Sequence, residues 1–151
     1  SVMGICICND RRWPETYRVL GLRGAEVIMI GYNTPIQNSY RENEPAYLGM
    51  FHNYLSMQAG AYQNSTWVLA SAKAGWEEGV HHMGGSCIIA PTGEIIAKAI
   101  SETDEVFVAE CNLDLGKYLR KTVFDFEAHR RPEHYDIITS QTGRLLPPDD
   151  C

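Results

Sequence analysis

The chain has 151 residues, 44% of them hydrophobic and 21% charged, with a formal net charge of −6. That length builds one domain around a hydrophobic core, and the composition excludes a disordered chain. The negative balance argues against nucleic acid as the main partner, because phosphate binding needs a basic surface, and no run of about 18 apolar residues offers a membrane-spanning helix.

Residues 2–8 form a short, nearly continuous apolar run, which predicts a strand covered on both faces. Pro14 suits the first turn of a helix over 14–23, which Gly24 would end in a left-handed turn. Residues 26–30 predict a second buried strand, so the opening of the chain reads as a βαβ unit with parallel neighbours. A polar stretch, 31–45, reads as a long loop. Over 46–63 the spacing is helical, with Leu48, Phe51, Leu55 and Ala59 on one face and Met50, Tyr54 and Met57 widening it.

Residues 66–72 predict a strand and 75–85 a loop that holds Glu77, Glu78, His81 and His82. These side chains are expected to be solvated, and no metal site is assigned to them. Residues 86–90 and 94–99 flank Pro91-Thr92-Gly93 and predict a β-hairpin. Residues 105–111 alternate like one more strand, and Asn112 is placed to cap a helix over 113–120. Beyond Lys121 the chain reads as an extended tail that packs on something. The five cysteines, Cys6, Cys8, Cys87, Cys111 and Cys151, include no CxxC pair and read as reduced thiols of a cytosolic protein.

Chemistry concentrates at Cys8. It lies at the C-terminal end of a parallel strand just before a helix, where α/β proteins commonly bind ligands. The helix N-terminus and the neighbouring Arg11 and Arg12 favour a thiolate. The Asn9 N–H would point at an oxyanion forming on a carbonyl bound at Cys8, and an arginine fork suits a carboxylate. Spacing alone leaves a second reading open: a small buried hydrophobe at a strand end, with Arg11 and Arg12 solvated or paired to Asp10 and Glu15.

Ile7-Cys8-Asn9-Asp10-Arg11-Arg12-Trp13-Pro14-Glu15 resembles the nucleophile segment of the nitrilase (carbon–nitrogen hydrolase) superfamily. More narrowly, it is similar to the N-carbamoyl-D-amino acid amidohydrolases. Gly31-Tyr32-Asn33-Thr34-Pro35, Leu55-Ser56-Met57-Gln58-Ala59-Gly60, Glu77-Glu78-Gly79 and Ser86-Cys87-Ile88-Ile89-Ala90-Pro91-Thr92-Gly93-Glu94 follow in the expected order. Phe124-Asp125-Phe126 with Ala128-His129-Arg130 resembles the family's C-terminal segment.

The resemblance implies an α/β fold, the C-terminal half of a four-layer αββα sandwich with mixed sheets. Residues 1–135 would belong to that domain and 136–151 form a tail of unknown role. It implies hydrolysis of a non-peptide C–N bond through a cysteine thioester, with no cofactor and no metal. Cys8 would be the nucleophile and Asn9 would help bind the oxyanion, while Arg11, Arg12, Asn33 and Thr34 would face a small substrate and its carboxylate. An N-carbamoyl amino acid is the expected substrate. An amidase or nitrilase acting elsewhere, or an inactive structural subunit, are the alternatives.

The family's catalytic glutamate and lysine precede the cysteine, yet only seven residues precede Cys8 here, none of them Glu or Lys. The chain is therefore expected to be one piece of a larger protein, with an N-terminal half supplying both residues, and to expose apolar surface without that half. A homo-oligomer, and no nucleic-acid or membrane partner, complete the expectation.

Overall fold

The computed structural model describes residues 1–37 and 44–145. Strand β1 (Met3–Ile7) leads through a tight 3-10 turn, Cys8–Arg12, into helix α1 (Pro14–Leu22), with Pro14 in the first turn. Gly24, at φ +85°, takes the left-handed conformation that reverses the chain into β2 (Val27–Tyr32). Helix α2 (Ala46–Asn64) and β3 (Trp67–Ala72) repeat the pattern. Both strand pairs are parallel, with Met3 opposite Val27 and Val27 opposite Trp67.

The chain then makes a hairpin of β4 (Ala74–Glu77) and β5 (Val80–Met83) before returning through β6 (Cys87–Ile89) and β7 (Ile95–Lys98). The order β1-β2-β3-β6-β7 makes one mixed sheet, parallel on one side and antiparallel on the other, and β4-β5 forms a separate ribbon. Helices α3 (Asp114–Arg120), α4 (Phe126–His129) and α5 (Asp136–Ser140) follow.

The main core lies between one face of the sheet and helices α1 and α2. Cys6, Ile28, Ile30, Val68, Ala70 and Ile89 face Tyr17, Met57 and Ala61. Ile28, Val68 and Ile89 are fully buried, and burying each such side chain contributes about 1.5–3 kcal/mol. On the other face a smaller cluster forms around Val27, Trp67 and Ala90, where the indole N–H of Trp67 donates to the Asn112 carbonyl at 3.1 Å. The rest of that face is open: Ile5, Ile7, Met29, Leu69, Ile88 and Phe107 border a trough of about 530 Å³.

Several expectations change. Strand β1 is an edge strand with exposure alternating along it: Met3, Ile5 and Ile7 are 60–67% exposed, and only Gly4 and Cys6 face the helices. On α2 the helical period holds but the buried stripe is Asn53, Met57, Ala61 and Asn64, while Phe51 and Leu55 are exposed. Packing against the sheet, rather than apolar spacing alone, decides which face of α2 is buried.

Residues 75–85 are a hairpin rather than a loop. Glu78 (φ +49°) and Gly79 (φ +82°) both take the left-handed turn that joins twisted antiparallel strands. Residues 105–111 keep their alternation, with Val106 and Val108 exposed and Phe107 half-buried, yet they join no ladder among the described residues. Over residues 122–145 the tail is not simply extended but carries short helices. Asp125 caps α4 by accepting from the Ala128 N–H, and Phe124 and Phe126 pack on Tyr62 and Arg18.

Two thiols face the core. Burial, with the charge of Asp10 adding to it, pushes Cys6 up from 9.0 to about 11, and burial pushes Cys87 up to about 12. The unfolded chain therefore sheds these protons first. Their contribution to stability is complete below pH 9 and falls as pH rises toward 11 and 12. Urea unfolding midpoints are expected to hold level from pH 7 to about 8.5 and drop progressively above pH 9; a midpoint that rises through that window would contradict the burial of these thiols.

Candidate active site

Strand β1 ends at Ile7, and the chain turns at once. Cys8 sits at φ +49°, a left-handed conformation that costs a non-glycine residue on the order of 1–3 kcal/mol. The turn is held by Asp10, whose carboxylate accepts from the Ile7 N–H at 3.0 Å and whose carbonyl accepts from the Trp13 N–H at 3.2 Å. The strained residue leaves the ladder here, partly exposed and partly packed against the main core.

Asn33 reaches Cys8 because the parallel register sets Ile7 opposite Gly31 and brings the C-terminal ends of β1 and β2 side by side. The Cys8 thiol donates to Asn33 Oδ1 at 3.9 Å. Cys8 is partly exposed, while Asn9 and Asn33 are exposed, so these three line an open surface at the C-terminal edge of the sheet.

Arg11 and Arg12 separate. Arg12 is half-buried, whereas Arg11, expected to face the substrate, is 1% exposed. Its Nε donates to Asn53 Oδ1 and its Nη2 to Thr34 Oγ1, both at 2.8 Å, and its Nη1 donates to the Cys8 carbonyl. The guanidinium lies 3.9 Å over the Tyr32 ring. Thr34, at 5% exposure, is likewise a partner of Arg11 rather than a surface group. The turn is compact enough that the fourth residue of CNDR folds back beneath the first.

Sequence reasoning missed Tyr32 and Asn53. Asn53 lies four residues before Met57 on the buried stripe of α2, and a polar residue in that register was the available signal. No histidine bonds Cys8 among the described residues: His52 pairs with Glu44 at 3.0 Å, and His81 pairs with Glu102 at 2.9 Å while stacking on Trp76. Neighbouring His82 is buried on the other side of β5. Among the described residues no three His, Cys, Asp or Glu side chains are grouped to hold a metal ion, and no helix is long and apolar enough to cross a membrane.

The carbon–nitrogen hydrolase family model matches residues 1–121. The chain belongs to the carbon–nitrogen hydrolase family. This carbon–nitrogen hydrolase chain is 32% identical to N-carbamoylputrescine amidase of Arabidopsis thaliana, over 95% of its own length and 49% of that protein. It is 36% identical to deaminated glutathione amidase of Synechocystis, over 79% and 40% of the two lengths. A solved carbon–nitrogen hydrolase from Helicobacter pylori shares the fold at TM-score 0.79 and 24% identity, covering 93% of this chain and 50% of that one. The chain spans about half the length of the curated relatives it matches. The mixed α/β fold with its mixed sheet is of the nitrilase type, matching that structure.

Proposed function

We propose that this chain carries the nucleophile of an enzyme that hydrolyses a non-peptide C–N bond, most specifically an N-carbamoyl amino acid. The observation that carries the reading is the placement of Cys8. It is a partly exposed cysteine in a left-handed turn at the C-terminal edge of parallel strands, with its thiol on Asn33.

In the proposed reaction the Cys8 thiolate attacks the ureido carbonyl, and the tetrahedral oxyanion receives the Asn9 N–H. The carbon–nitrogen bond to the terminal amino group breaks, that group takes a proton, and ammonia leaves a carbamoyl thioester. Water adds to the thioester and restores the thiol. The released carbamate decays to carbon dioxide and the free amino acid. Arg12 and Asn33 are assigned to the substrate carboxylate. The acid–base steps fall to a glutamate, and oxyanion support to a lysine, from the part of the family fold that precedes this chain's cysteine. Without positioned acid–base help a loss of about 10²–10⁴ in rate is expected.

The same reading assigns the open trough over Ile5, Met29, Leu69 and Ile88 to that remaining part, on the same polypeptide or a separate one. Contacts between copies are assigned to Val19, Leu22, Phe51 and Leu55 on the outer faces of α1 and α2, which sedimentation of the complete enzyme tests. A cytoplasmic location accords with the free thiols of Cys6, Cys8, Cys87 and Cys111 among the described residues.

The deciding experiment is ammonia release by the complete enzyme from matched substrates: N-carbamoyl amino acids, N-carbamoyl amines that lack the carboxylate, simple amides and nitriles. Fastest release from the carboxylate-bearing ureides is expected. The similarity to N-carbamoylputrescine amidase favours a second reading, in which the ureido amines are turned over faster. That result would remove the carboxylate role from Arg12, and a preference for nitriles would overturn the ureide assignment.

A further inference from the structure

Arg11 is a buried cation with no carboxylate at ion-pair distance among the described residues, although Asp10 is its chain neighbour and bonds the Ile7 N–H instead. A guanidinium keeps its proton in a protein, so such burial persists only where the surrounding groups satisfy it closely. Burial does pull Arg11 below its ordinary pKa, while Tyr32 and Cys8 oppose that shift.

The groups around it form a connected set. Each of the three guanidinium nitrogens donates to a different segment: Asn53 on α2, the Cys8 carbonyl in the turn, and Thr34 just beyond β2. Asn53 then donates from Nδ2 to the Tyr32 hydroxyl at 3.0 Å, and that hydroxyl donates to the Gly85 carbonyl at 2.8 Å. Gly85 sits at φ +89°, and a Cβ there would lie 2.9 Å from Met50 Sδ and 3.4 Å from Asn53 Nδ2, so this turn packs directly on α2. Asn53 is 1% exposed and Tyr32 6%.

We propose that Arg11 is a positioning residue rather than a ligand of the substrate. Its guanidinium ties the Cys8 carbonyl to Thr34, and through Asn53 and Tyr32 to the Gly85 turn, so that the nucleophile and Asn33 are held as one rigid unit. The proposal rests on Cys8 being the nucleophile. It divides the two adjacent arginines: Arg12 reads the substrate, and Arg11 fixes the turn from beneath. Asn53 and Tyr32 become positioning residues of the same network.

The test uses the complete enzyme and a substrate pair, an N-carbamoyl amino acid and its carboxamide analogue. Arg11→Lys is expected to lower kcat on the order of 10–100-fold on both members of the pair while KM for the acid changes less than about threefold. Asn53→Leu should show the same split. Asn53→Asp, which keeps an acceptor for Nε, should recover part of the loss. Tyr32→Phe removes only the hydroxyl and serves where the arginine variant fails to fold. The rate of Cys8 alkylation by iodoacetamide in each folded variant reports the nucleophile without turnover, and it should fall with kcat.

A carboxylate ligand gives a different pattern: KM for the acid rises, and the carboxamide is turned over as before. That pattern in Arg11→Lys, or full activity in both Asn53→Leu and Tyr32→Phe, overturns the proposal. Full activity in Cys8→Ala would instead overturn the nucleophile reading on which it rests.

Discussion

Cys8→Ala in the complete enzyme is expected to remove ammonia release, by about 10⁴-fold or more, while substrate still binds. The reasoning starts from the turn. Alanine and cysteine both take a left-handed φ of +49° at comparable cost, and the Cys8 carbonyl that Arg11 holds is unchanged. The fold therefore survives the substitution, and Asn33, Thr34 and Arg12 stay in place. What disappears is the thiol at the strand end. Single-turnover ammonia release together with equilibrium binding of an N-carbamoyl amino acid separates the two effects. Release at the wild-type rate would show that another group attacks the carbonyl.

The largest effect on stability is expected at Gly60. Helices α1 and α2 approach so closely there that a Cβ on Gly60 would lie 2.5–2.6 Å from three atoms of the Tyr17 ring. Tyr17 is 1% exposed and packed in the main core, so the ring has little room to withdraw. In an open helix, replacing glycine by alanine stabilises by roughly 0.5–1 kcal/mol. Overpacking a core costs about 1–3 kcal/mol, and a contact this short places Gly60→Ala at the upper end. The net loss, about 2–2.5 kcal/mol once the helix gain is subtracted, would lower Tm by roughly 4–10 °C for a chain of this size. Thermal unfolding of the variant checks it, and an unchanged or higher Tm would show that the helices separate without cost. The two predictions are linked through the fold, since α1 leads out of the Cys8 turn and α2 carries Asn53 to it.

Much of the local structure is legible in the residues because its causes are local. Pro14 and Gly24 bracket α1, and Gly93 at φ +86° turns the hairpin between β6 and β7. Asn112 Oδ1 accepts the Asp114 N–H ahead of α3, as its position predicts. The hairpin of β4 and β5 was harder to see, because Glu78-Gly79 lacks the asparagine or aspartate that usually marks such a turn. The candidate site was half legible. Cys8 stands out by its motif and by its place before a helix, and parallel pairing explains why Asn33, 25 residues later, meets it. The burial of Arg11 was not legible, since nothing in Cys8-Asn9-Asp10-Arg11-Arg12 tells which arginine turns inward.

By itself, then, the sequence determined the βαβ unit, the β6–β7 hairpin, the family and the place of Cys8, because backbone preferences and motifs act over a few residues. Only the tertiary structure decided which stripe of α2 is buried, that residues 105–111 join no ladder among the described residues, and that Arg11 is buried against the Cys8 carbonyl. The first and last of these depend on what packs across a gap of tens of residues: the sheet face that meets Met57, and Asn53 and Thr34 with acceptors for a buried guanidinium. Burial and hydrogen-bond satisfaction are set by the assembled neighbours of a side chain, and periodicity along one segment does not contain them.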